Sequence, residues 1–153
     1  EDILKKYESK YHELWLEMMK DKIGINQNNK KDKDLIKELL DLMHIFKLDY
    51  TNTFVEIDKN NLKKYDFMQE WISKLNLRKK MNKDIKNTKN FNPNIIPRNH
   101  LIENVLNESK NGYYKNLIKL ISFLKNPYNS NIPEVYTKEP ENEEKVYETY
   151  CGT

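Results

Sequence analysis

Leu4, Tyr7, Tyr11, Leu14 and Met18 recur at intervals of three and four residues, with Trp15 beside them. That spacing places side chains on one face of an α-helix and predicts a first helix with an apolar stripe turned to the core. Gly24 ends it. A second helix is predicted from Asp32 or Asp34, acids that suit its positive end, carrying Leu35, Leu39, Leu42, Met43 and Phe46 inward. Asp49-Tyr50-Thr51 can cap a short third helix containing Phe54 and Ile57. Tyr65, Met68, Ile72 and Leu75, with Trp71 adjoining, mark a fourth.

A polar loop from about Lys83 to Asn92 leads to the segment around which the chain is organised, Asn92 to Gly112. Pro93 and Pro97 fix φ and lack a backbone N–H, so they fit a turn followed by the first turn of a helix. The central helix is therefore expected from about Pro97, with Leu101, Ile102, Val105 and Leu106 as its stripe and Asn111-Gly112 as its left-handed end. Tyr114, Leu117, Ile121 and Leu124 mark a sixth helix, which Asn126-Pro127 stops. Beyond it, prolines at 127, 133 and 140 and an acidic run argue for an extended tail, anchored only by Val135-Tyr136 and Val146-Tyr147. No alternation is long enough to nucleate a sheet, so the expected class is all-α.

Composition narrows the function. The 153 residues suffice for one domain, but they are only 37% hydrophobic and 33% charged, so the core must be economical. Runs such as Asn26-Gln27-Asn28-Asn29-Lys30-Lys31 read as solvated insertions. No apolar run approaches a membrane span and no signal-peptide pattern opens the chain, which reads as a soluble piece without a membrane partner. It begins without Met and within a helical pattern, as expected of a fragment lacking its N-terminal part.

A net charge of +3 from 27 basic and 24 acidic residues is a mixed surface, which argues against nucleic acid as a partner. Lys74, Arg78, Lys79, Lys80, Lys83, Lys86 and Lys89 form one basic segment. No aromatic residues interleave with it for base stacking, so a solvated helix end and loop is expected.

Candidate chemistry is sparse. Glycines at 24, 112 and 152 are too scattered for a Walker loop or a dinucleotide fingerprint. His12-Glu13 lacks the second His of a zincin, since position 16 is Leu16, and His44 is expected to be packed or half-buried within the second helix. His100 and Glu103 have acid/base spacing, though the opening turn of a helix explains both as well. Arg98 is read as a clamp on neighbouring loops or an adjoining domain. No catalytic, cofactor-binding or metal-binding residue is assigned. Cys151, the only cysteine, cannot form a disulfide within the chain.

Asn92-Pro93, Pro97-Arg98-Asn99-His100, Glu103 and Gly112 together resemble the C-terminal region of the selenoprotein O family (SelO, called YdiU in bacteria). Matches continue on both sides: Trp15 with Met18 or Met19, Gly24-Ile25, Asp34-Leu35, Leu39-Leu40-Asp41-Leu42-Met43, Asp49-Tyr50-Thr51 with Phe54, Trp71, Met81-Asn82, Pro127-Tyr128 and Tyr147-Glu148-Thr149-Tyr150-Cys151-Gly152-Thr153. Val55 where the family usually has Arg, Tyr113 after Gly112, and Tyr150 before Cys151 mark a divergent member.

The resemblance implies a kinase-like (pseudokinase) protein that transfers AMP from ATP to Ser, Thr or Tyr hydroxyls of proteins and needs a divalent metal such as Mg²⁺. ATP and metal would bind in the part preceding this chain. This chain would be the helical C-terminal region, residues 1–125, followed by a tail, residues 126–153. Its partners would be the kinase-like domain of the same protein and, through it, protein substrates. The resemblance also implies a redox role for Cys151, with a disulfide partner in the kinase-like core, and a mitochondrial location in a eukaryote or a cytoplasmic one in a bacterium. The other expectation that fits the residues is a non-catalytic helical protein-interaction module.

Overall fold

The structure is a computed structural model that describes residues 2–81 and 87–141. Among these residues it is all-α, with six α-helices, short 3₁₀ turns and no strand. The chain forms two compact units, Glu1–Asn92 and Pro93–Thr153.

The first unit holds α1 (Asp2–Ile23), α2 (Asp32–Ile45), α3 (Tyr50–Lys59) and α4 (Gln69–Lys80). Gly24 ends α1 as expected, with φ +78° and the Ile25 N–H donating to the Lys20 carbonyl at 2.9 Å. A Cβ there would stand 2.9 Å from the Thr88 methyl, so the position needs glycine for space as well as for conformation. Asp49 caps α3: its Oδ1 accepts the Asn52 N–H at 2.8 Å.

The core of this unit joins Met19, Ile23 and Ile25 to Leu35, Ile36, Leu39 and Met43 of α2, Phe54 of α3, and Leu62, Met68, Trp71, Ile72 and Leu75. Trp71 is 1% exposed, and its indole N–H donates to the Leu35 carbonyl at 2.8 Å, so the largest side chain of the core is also polar-satisfied. Trp15, expected in the core, is half-buried at its edge.

Three expectations are corrected here. The stripe of α1 is turned outward: Leu4, Tyr7, Tyr11, Leu14 and Met18 are all exposed, and the core takes Met19 and Ile23 instead. The predicted fourth helix starts late, because Asn61–Lys64 and Asp66–Met68 are 3₁₀ turns and α4 begins at Gln69. Tyr65 has extended backbone (φ −100°, ψ 114°) and separates the two turns, which bury Leu62 and Met68 in the core with Tyr65 packed against it. Phe46, expected inside, is 44% exposed at the end of α2, where its ring stacks on Phe67 at 3.6 Å.

The second unit is built on α5 (Asn99–Lys110) and α6 (Lys115–Leu124). α5 starts two residues after Pro97, because Arg98 keeps extended backbone (φ −71°, ψ 136°) as the N-cap and its carbonyl accepts the Ile102 N–H at 3.1 Å. Gly112 ends the helix at φ +84°, with the Tyr113 N–H on the Glu108 carbonyl at 3.1 Å. Ile95, Leu101, Val105 and Leu120 form the buried cluster, with Leu117, Phe123, Leu124, Ile132 and Tyr136 packed beside it.

The face of α6 differs from the expected one. Tyr114 and Ile121 are exposed, while Leu120, outside the predicted stripe, is 2% exposed. Lys115, Asn116, Lys119 and Ser122 share one face of this ten-residue helix, and the apolar face opposite is broad enough that the unit buries its Leu120 side and leaves Ile118 and Ile121 exposed. Beyond it, the Asn94 N–H donates to the Pro127 carbonyl at 2.7 Å, and a 3₁₀ turn at Glu134–Tyr136 lays Tyr136 against Phe123 at 4.9 Å.

Candidate functional site

Asn92 shows why an asparagine stands before the first proline. It is 2% exposed, and its side-chain amide donates to the carbonyls of Lys22 at 2.8 Å and Phe54 at 3.4 Å. Lys22 lies in the last turn of α1, whose carbonyls have no partner further along the helix. One amide group therefore satisfies the end of α1 and holds it to α3.

The Lys22 ammonium lies 3.2 Å from the Phe91 carbonyl and 3.5 Å from Asn92 Oδ1, over the rings of Phe54 (4.9 Å) and Tyr50 (5.7 Å). Carbonyl, amide and ring faces compensate its charge only in part, and burial holds its pKa below the ordinary lysine value. Burial also raises the pKa of Tyr50, whose hydroxyl points at Met19 Sδ 3.5 Å away. These contacts hold backbone and ring faces together; they orient no nucleophile.

The remaining motif residues belong to the second unit. Pro93 is half-buried, Pro97 and Asn99 are exposed, and Arg98 and His100 are buried at 9% and 5% exposure. Glu103 is exposed while His100 faces inward, so the structure does not bring them together as an acid/base pair. Cys151 lies outside the described residues.

Sequence reasoning missed a buried ion pair. Arg78, expected on a solvated helix end, is 8% exposed, and its Nε meets Asp32 Oδ1 at 2.6 Å. Its Nη2 reaches Asp32 Oδ2 at 3.2 Å and also the Gln27 carbonyl. Asp32 Oδ2 in turn accepts the Asn29 N–H at 2.9 Å, so the pair pins the Asn-rich 26–31 segment as well as joining α2 to α4. The signal was present: Trp71, Leu75 and Arg78 fall at i, i+4 and i+7, on one face.

Lys74 of the same basic segment bridges Glu38 (2.8 Å) and Glu70 (2.7 Å), which raise its pKa. His44 is exposed, not packed, and His12 lies on the outer side of α1 with Glu8 at 3.9 Å.

Among the described residues no group of three or more His, Cys, Asp and Glu side chains is arranged to hold a metal ion. No helix among them is long and apolar enough to cross a membrane.

The family model described as "Protein adenylyltransferase SelO" matches residues 1–125. The "Protein nucleotidyltransferase YdiU" of Pelagibacter ubique (strain HTCC1062) is 38% identical over 164 residues, 99% of this chain and 34% of that protein. The protein of the same name from Clostridium beijerinckii (strain ATCC 51743 / NCIMB 8052) is 39% identical over 162 residues, 98% of this chain and 33% of its own length. That of Bacillus cereus (strain AH820) is 34% identical over 165 residues, 100% of this chain and 34% of its own length. The chain spans about a third of the length of the curated relatives it matches.

Proposed function

The chain belongs to the SelO family of protein adenylyltransferases, and we propose that it is the helical C-terminal region of an enzyme that transfers AMP from ATP to Ser, Thr or Tyr hydroxyls of proteins. The carrying observation is the end-to-end match to nucleotidyltransferases about three times as long. ATP and Mg²⁺ bind in the kinase-like part that precedes this region, and the helices support that part. The domain assignment follows the same reading, with residues 1–125 as the helical region and 126–153 as a tail. The bacterial relatives favour the cytoplasm over the mitochondrion.

Cys151 is the redox position of this assembly. When oxidised it pairs with a cysteine of the kinase-like core and tethers the tail across it. The support is the resemblance of the chain end Tyr150-Cys151-Gly152-Thr153, together with the lack of a second cysteine in the chain. Peptide mapping of the oxidised full-length protein tests it. A Cys151 that stays a free thiol while other cysteines oxidise, or a Cys151→Ser variant with unchanged redox dependence of AMP transfer, would remove the tether.

The exposed apolar faces of α1 and α6 also fit the reading as a non-catalytic interaction module. Mass spectrometry of candidate protein substrates incubated with ATP, Mg²⁺ and the full-length gene product separates the two. The transferase reading expects AMP on hydroxyl side chains, and a full-length product that binds proteins but modifies none favours the module.

A further inference from the structure

We propose that the outward face of α1, formed by Leu4, Tyr7, Tyr11, Leu14 and Met18, is the docking surface for the portion of the polypeptide that the longer relatives have and this chain lacks. The inference rests on the reading of the chain as part of a longer transferase, and it names the face that meets the remainder. These residues are 73%, 69%, 54%, 50% and 44% exposed. Their 3,4,3,4 spacing is that of a helix seam over about 21 Å, at 1.5 Å per residue. Every side chain described from Leu4 to Leu14 is exposed, and the core is met only from Trp15 onward.

A helical half of this length is marginal in water unless an apolar face is covered. The flanks carry both signs, Lys6 and Lys10 with Glu8, Glu13 and Glu17, which suits a protein surface and neither an anionic lipid nor a nucleic acid. Trp15 and Leu16, beside the seam, pack on the core of their own unit while Leu14 and Met18 stay exposed, and a second copy is the alternative occupant that the crosslinking test distinguishes. The relatives supply the occupant: about two thirds of their length lies outside the match.

The test is a photo-crosslinking amino acid at Tyr7 of the full-length protein, with peptide mapping of the product. The expected product is intramolecular, joining position 7 to residues preceding this chain. A crosslink between two copies, a crosslink to residues within this chain, or no crosslink overturns the proposal. Hydrogen exchange on the unmodified full-length protein checks it without a substitution. Amides of residues 8–14 should exchange at least ~100-fold more slowly than in an unpartnered, fraying helix, and fast exchange there overturns it. AMP transfer assayed in parallel separates the two claims. Transfer without the crosslink leaves the family reading standing and removes the docking face, while the crosslink without transfer does the reverse.

Discussion

The two units distribute their apolar residues differently. Among the described residues the first gathers thirteen buried residues into one cluster, drawn from four helices and the connecting turns, and secures them with polar contacts at the Trp71 indole, the Asn92 amide and the Arg78–Asp32 pair. Among the described residues the second buries four, Ile95, Leu101, Val105 and Leu120, while Tyr113, Tyr114, Ile118 and Ile121 stay on its surface. Both units leave apolar residues on the surface, the first along α1, but the first also gathers a large core while the second buries few apolar residues. Stability in this chain should therefore be concentrated in residues 1–92.

The sharpest way to break that comparison is Trp71→Ala. It removes a fully buried ring together with its hydrogen bond to the Leu35 carbonyl, and should cost about 3 to 5 kcal/mol in a denaturant titration. A loss under about 1 kcal/mol would place Trp71 on the surface and dissolve the argument. Next comes Arg78→Met, which strands the Asp32 carboxylate in the core and should cost about 3 kcal/mol. The double variant Asp32→Leu/Arg78→Met should recover much of that loss, because it removes the uncompensated charge. Without recovery, the pair acts through the 26–31 backbone instead.

Leu120→Ala in the second unit should cost about 2 kcal/mol, the low end for such truncations, since its smaller core can close around the gap. A loss of about 5 kcal/mol would show a core as tightly packed as that of the first unit.

The smallest effect is a pH dependence. Lys22 has a lowered folded pKa, so the unfolded chain binds more protons between that value and 10.5, and stability rises with pH across this window. Tyr50 has a raised pKa and acts oppositely: the unfolded state loses its proton first, and stability falls as pH rises through 10.0. Lys22→Met should abolish the rise and Tyr50→Phe should weaken the alkaline fall, both visible in thermal melts between neutral and alkaline pH.

Periodicity revealed the helices better than their orientation. α2 was legible because Leu35, Leu39 and Met43 sit among charged residues that leave only one face to bury. In α1 the apolar residues occupy two faces. The regular stripe gave the helix correctly but the wrong side, since a pattern records that a face needs covering and not which body covers it. Asn92 was legible as a motif, but its role required the carbonyls of Lys22 and Phe54, brought to it across 70 and 38 residues of chain. Arg78 was hidden by its lysine neighbours, which made a core residue look like part of a charge run.

The central claim is that this chain is the supporting region of an adenylyltransferase and leaves nucleotide chemistry to the rest of the protein. Calorimetric titration with ATP in the presence of Mg²⁺, run on the full-length protein and on the 153-residue chain, tests it most directly. The account predicts saturable binding to the full-length protein and none to the chain. Saturable binding to the chain alone, or no binding to the full-length protein, would contradict it.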